Sequence, residues 1–236
     1  MTATSHPGEP HDRSPGGRLN ALRAAVLGAN DGIVSTAGLV MGVAGATSER
    51  AAIVTAGVAG LVAGALSMAA GEYVSVSTQR DTERALLRQE RRELAEMPEA
   101  ELAELTAIYE DKGLTPELAG EVAAQLTQHD ALGAHAQVEL QIDPQNLTSP
   151  WQAAVASAVS FVTGALLPLL VIALAPVAMR LQLTVASVVA ALALTGFVSA
   201  RLGGTPWRRP VLRNVIGGWL AMTVTYGIGA LVGTYM

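Results

Sequence analysis

The chain has 236 residues, 50% of them apolar, 15% charged and 4% aromatic, with a mean hydropathy of +0.37. That is too apolar for an ordinary soluble domain of this size, and the absence of cysteine excludes disulfides and thiolate metal sites. The net charge of -5 hides an asymmetry: residues 78–143 hold fifteen acidic and six basic groups, so the remainder is net positive, which points to a cationic partner and away from nucleic acid.

Residues 1–17 are polar, with Pro7, Pro10, Pro15, Gly16 and Gly17, and read as a disordered tail and not as a signal peptide. Five apolar stretches follow, at about 21–46, 51–76, 151–175, 181–200 and 211–235. Each reaches the roughly 20 residues that about 30 Å of hydrocarbon requires. Thr47–Arg50 makes the first turn, Pro168 is expected to kink the third span, and Pro206 and Pro210 fall in the loop before the fifth. Arg13, Arg18 and Arg23 precede the first span, and Arg201, Arg208, Arg209 and Arg213 crowd the last loop, whereas the opposite side carries only Arg50 and Arg180. The positive-inside rule places the N-terminus and residues 77–146 in the cytoplasm and the C-terminus outside. A multi-pass protein of the cell (inner) membrane is the expectation.

Between spans two and three the pattern stays helical. The second span is expected to continue as a charged helix to Glu96, with Met97-Pro98 as a break. A second helix covers 99–111 and ends at Lys112-Gly113. A third opens at Thr115-Pro116-Glu117 and runs to about Gln141, closed by Asp143-Pro144. The fold class is therefore an all-α integral membrane protein. Its parts are a tail (1–17), transmembrane helices 1 and 2 (18–76), a cytoplasmic three-helix domain (77–146) inserted between spans two and three, and transmembrane helices 3 to 5 (147–236).

Three kinds of residue could carry chemistry. Asp31 lies about two turns into span one, where an ionisable group costs about 2.5–3.5 kcal/mol and usually faces a bundle interior or aqueous path; the alternative is a carboxyl that packs neutral or caps a neighbouring helix. Glu72 sits near the cytoplasmic end of span two and reads either as a pathway residue or as an interfacial carboxylate. Met68 precedes it by one turn on the same face; its thioether is either packing or a soft ligand that favours iron(II) over magnesium or calcium. In the insert, Glu90 and Glu93 are spaced i, i+3, Glu101 and Glu104 repeat that spacing, and His135 and Glu139 lie i, i+4. Folded together they could form a carboxylate-rich metal site, or they are a solvated surface partly paired with Arg88, Arg91 and Arg92. No Glu-x-x-His pair of the di-iron kind and no Walker loop occurs. Small-x-x-x-small pairs at Gly28/Gly32, Gly38/Gly42, Gly60/Gly64 and Gly229/Gly233 read as packing first and dimer faces second.

The segment Arg23-Ala-Ala-Val-Leu-Gly-Ala-Asn-Asp31-Gly-Ile-Val-Ser35, with Ser67-Met68-Ala-Ala-Gly71-Glu72-Tyr-Val-Ser-Val-Ser77 and Ser160-Phe161-x-x-Gly164-Ala-x-x-Pro168, closely resembles the vacuolar iron transporter family. The resemblance covers nearly everything from Arg18 onward. It implies five spans, a helical cytoplasmic metal-binding domain, a homodimer in the lipid bilayer, and export of iron(II), and often manganese(II), in exchange for protons. By position it implies that Asp31 and Met68 contact metal inside the membrane, with Glu72 adjoining. It further implies that Glu90, Glu93, Glu101, Glu104 and Glu139 are metal-binding glutamates. Gln137 and Val138 depart from the pattern, standing where relatives offer methionine or a carboxylate. No cofactor is expected; divalent metal, iron(II) with manganese(II) or zinc(II) as alternatives, is substrate. The rival readings are a membrane-anchored metal sensor or buffer, a membrane iron oxidase, and a cation channel.

Overall fold

The computed structural model describes residues 15–235, with side chains from residue 25. Seven α-helices follow one another: α1 (Pro15–Ala46), α2 (Arg50–Glu96), α3 (Pro98–Asp111), α4 (Pro116–Val138), α5 (Pro150–Leu174), α6 (Arg180–Leu202) and α7 (Arg208–Tyr235). Among the described residues there is no strand. Helices α1, α2, α5, α6 and α7 are each long and apolar enough to cross a membrane. Of the expected tail, residues 1–14 lie outside the described residues, and α1 already begins at Pro15. Pro210, expected in a loop, falls in the first turn of α7, where a missing N–H costs nothing.

The described residues form two compact units, one holding the chain up to Glu72 and from Trp151 onward, the other Tyr73–Pro150. In the first unit α1 is central. Ile33, Ala37 and Met41, four residues apart, present one face to Val188 and Leu192 of α6 and Met222 of α7. Val40 on the next face meets Ile53 of α2 and Leu169 and Ile172 of α5, so α1 buries two faces, while Leu27, Asp31, Ser35 and Leu39 stay exposed along a third. Gly38 faces Thr225, Gly229 lies on Gly42, and Gly233 lies on Ala46, so α1 and α7 run parallel with their backbones in contact. Gly32 and Gly164 do the same for α1 and α5, on either side of Asp31: a Cβ on Gly164 would strike the Ala29 carbonyl.

The turns of this unit are tied by two arginines. Arg50, the first residue of α2, donates from Nη2 to the Ala175 carbonyl beyond α5 at 2.9 Å. Arg180, the first residue of α6, donates from Nη2 to the Ser48 carbonyl at 3.0 Å and is only 4% exposed.

In the second unit the Tyr73–Glu96 part of α2 joins α3 and α4. Leu87 packs with Ala136 and Ile142. Leu105 of α3 and Ala119 and Ala123 of α4 are fully buried where α3 packs on α4. The helix ends follow their sequence signals: Thr115 Oγ1 accepts from the Leu118 N–H at 3.4 Å with Pro116 at the first position, and Gly113 takes φ +98° after Lys112. Two features differ from expectation. Helix α4 ends at Val138 and not at about Gln141, which takes φ 55°. It is also interrupted at Asp130 (φ -161°, ψ 89°), whose Oδ1 accepts from the Gly133 N–H at 2.9 Å. Asp130 thus acts as an internal N-cap that starts the last two turns afresh.

Candidate functional site

The second unit gathers its acids around one imidazole. His135, fully buried, points Nδ1 at Glu90 Oε1 (3.1 Å), Glu139 Oε2 (3.4 Å) and Glu101 Oε2 (3.7 Å). Glu90 is 3% and Glu101 6% exposed, whereas Glu139 reaches in from the surface. Each comes from a different place: Glu90 from α2, Glu101 from α3, His135 from the last turn of α4 and Glu139 from its C-cap. Glu90, His135 and Glu139 each offer a ligand atom within 4.8 Å of the others, the spacing of a shared cation.

Burial pushes the Glu90 carboxyl up to about 7, helped by the charges of Glu139, Glu101 and Glu93 and opposed by His135. Burial likewise raises Glu101, with Glu104 the next cause. Glu90 Oε1 is buried without a hydrogen bond, its approach to Nδ1 being misaligned for one, and His135 Nε2 is also without a partner. Such orphaned atoms are costly unless a ligand completes them. Glu93 and Glu104 stay outside this inner group. Glu93 is half-buried and accepts from Gln89 Nε2 at 3.0 Å, and Glu104 is exposed, so both act here through their charge. Among the described residues no ion pair joins Arg88, Arg91 or Arg92 to a carboxylate; the intrahelical side-chain bonds here are those of Gln79 to Glu83 and Gln89 to Glu93. The departing Gln137 is exposed and Val138 half-buried.

In the first unit, Asp31 and Met68 line one cavity of about 200 Å³ with Ser35, Thr36, Ser67, Phe161 and the bare backbone of Gly60 and Gly64. A carboxylate, hydroxyls and a thioether therefore share a space inside spanning helices. Ser35 Oγ is committed to the Asp31 carbonyl at 2.6 Å. Thr36 is 2% exposed, and its Oγ1 makes no hydrogen bond. By contrast Thr163, Thr184, Thr223, Thr225 and Thr234 each spend the hydroxyl on the carbonyl four residues back. Thr36 was not singled out in the sequence, where only its place five residues after Asp31 could have drawn notice. Asp31 also borders a second cavity of about 340 Å³, lined by Asn30, Leu192, Arg213 and Asn214. Asn30 is held there by Thr195 Oγ1, which donates to its Oδ1 at 2.6 Å, and Ser160 Oγ of α5 donates to the Ala25 carbonyl. Glu72, half-buried one turn beyond Met68, does not line either cavity.

The sequence pattern of the VIT family matches residues 22–230. The chain is 43% identical over 225 residues to a "Vacuolar iron transporter" of Acanthamoeba castellanii, covering 95% of this chain and 83% of that one. It is 38% identical over 219 residues to "Vacuolar iron transporter homolog 2" of Arabidopsis thaliana, covering 92% and 87%. It is 40% identical over 219 residues to "Vacuolar iron transporter homolog 1" of Oryza sativa subsp. japonica, covering 92% and 76%. These names support metal transport and point to a transporter, not an enzyme. With the family pattern running from α1 to α7 through both the cavity and the imidazole-centred acids, this chain belongs to the VIT family.

Proposed function

We propose that the protein exports divalent metal, iron(II) and also manganese(II), from the cytoplasm in exchange for protons. The supporting observation is the cavity that joins Asp31 to Met68 inside the spans. A tether or buffer needs no acid in the bilayer, where it costs a few kcal/mol; a moving cation does. Carboxylate and thioether together suit iron(II) better than magnesium or calcium. The residues 77–146, read as an inserted cytoplasmic domain, gather metal on Glu90, Glu101, Glu139 and His135, with Glu93 and Glu104 drawing it in by charge. The cargo then passes to Asp31 and Met68, with Glu72 on the way. Metal and proton compete for the same carboxylate oxygens, so an inward proton gradient drives metal outward.

The arginine distribution supports a cytoplasmic N-terminus whichever membrane houses the protein, and the relatives' names are vacuolar. Asp31 is exposed on the single chain, and a second copy related by a two-fold axis would close the cavity, giving a homodimer. The imidazole-centred acids alone would serve a metal buffer equally well; the cavity separates the two readings. Proteoliposomes decide: iron(II) should accumulate only under a pH gradient and not in Asp31→Ala. Accumulation indifferent to the gradient, or surviving that substitution, ends the antiporter reading.

A further inference from the structure

Three glutamate oxygens surround a single ring nitrogen, Nδ1 of His135, at 3.1, 3.4 and 3.7 Å. Donors bound to one cation at about 2.1 Å lie about 3.0 Å apart along an octahedral edge and about 3.4 Å along a tetrahedral one. The separations to Glu90 and Glu139 match such edges, and that to Glu101 is a few tenths of an ångström longer. Nδ1 shares a hydrogen bond with Glu139 Oε2, yet Glu90 Oε1, the nearest oxygen, is buried and forms none, so hydrogen bonding within the group leaves its closest oxygen unsatisfied. Thioether is absent from the group. The only methionine of α3 and its approach, Met97, is about half exposed and lies outside the acids that converge here.

Resting on the reading of this unit as a metal-gathering site, we infer that His135 is a nitrogen ligand that sets its metal preference, favouring iron(II), cobalt(II) and zinc(II) over manganese(II). Carboxylate oxygen accepts all of these ions with little distinction. An imidazole nitrogen binds more strongly along the series from manganese to cobalt and beyond. One nitrogen among three carboxylates leaves manganese able to bind but places it last. The ring is fully buried with Nδ1 facing the acids. The same chemistry makes zinc a competitor of iron at this site, with cellular availability deciding the occupant.

The test uses the full-length protein in detergent, loaded with manganese(II), and reads nitrogen directly by pulsed electron paramagnetic resonance. Histidine nitrogen should modulate the manganese signal, and the modulation should change isotope pattern when only histidine is labelled with nitrogen-15. The cavity at Asp31 contributes no histidine, so its occupancy cannot mimic this. His135→Gln should abolish the modulation and lower the cobalt-to-manganese affinity ratio about tenfold, while His129→Gln, on an exposed residue of the same helix, should change neither. If His135→Gln folds poorly, the labelled spectrum of the triple variant His6→Gln/His11→Gln/His129→Gln, in which His135 is the sole histidine, gives the same answer. Manganese bound in a Glu90-dependent manner without histidine modulation overturns the inference, leaving His135 as a structural counter-ion. Histidine modulation in a protein that fails the proteoliposome assay sustains the inference and defeats only the transport reading.

Discussion

Arg50 and Arg180 hold each other's neighbourhoods: each opens a helix and donates to a carbonyl beside the start of the other's, Arg50 to Ala175 and Arg180 to Ser48. The α1–α2 turn and the α5–α6 turn are thereby fastened by reciprocal bonds, with no carboxylate partner among the described residues. Arg180→Ala removes a charged donor at a buried position and leaves the Ser48 carbonyl without it, a loss of about 2 kcal/mol. Tryptophan-fluorescence melts in detergent should show the drop. The Arg50→Ala/Arg180→Ala double variant should lose less than the sum of the two, because both bonds secure the same pair of turns. Strict additivity would mean that the bonds act independently.

Thr36 carries a hydroxyl in a place where hydroxyls are expensive. Thr36→Val keeps the shape and removes the unpartnered oxygen, so the fold should gain about 1 kcal/mol. If the hydroxyl is needed when metal passes Asp31 and Met68, the same variant should transport more slowly while melting higher, and Thr36→Ser should restore the rate. A variant that melts higher and transports at the wild-type rate would reduce Thr36 to a packing residue.

Glu90 titrates at about 7 in the folded chain against an ordinary value of 4.5. Between those values the folded, metal-free unit holds a proton that the unfolded chain has lost. Its stability is therefore greatest at the acid end of that window and declines as pH rises through 7. Glu101 is shifted the same way, and Asp143, lowered from 3.8 by Asn146 and Gln145, acts only below this window. Metal displaces the proton, so manganese(II) affinity should rise over the same range. Hydrogen exchange of α3 and α4 amides, corrected for intrinsic rates, should show stronger protection at about pH 5.5 than at about 7.5 without metal, and the reverse order with it. Protection that increases with pH in the metal-free protein would contradict the burial of Glu90.

The spans were readable because bilayer length and apolar runs leave few alternatives, and α2 runs through to Glu96 as its charged continuation suggested. The interruption at Asp130 was not readable. Within an Ala- and Leu-rich helix a single Asp is tolerated, and only its bond to the Gly133 N–H reveals it as a cap. That interruption precedes His135 and Glu139, so their approach to Glu90 depended on a feature that spacing does not carry. The i, i+3 pairs named the right helix faces but not the inner member of each. Packing of α3 on α4 buries Glu101 and leaves Glu104 outside. Arginine pairing does not form because only Arg92 has a carboxylate four residues on, Glu96, and Glu93 is taken by Gln89.

The four Gly-x-x-x-Gly pairs are already occupied within one chain: Gly28 and Gly32 by Ser160 and Phe161, Gly60 and Gly64 by Leu39 and Phe161, and Gly38 and Gly42 by the stretch of α7 from Thr225 that also holds Gly229 and Gly233. Bulky replacements at these glycines would wreck the subunit before they could separate it from a companion. The proposed homodimer would therefore have to use surface that the single chain leaves uncovered, such as Val62 and Leu66 of α2.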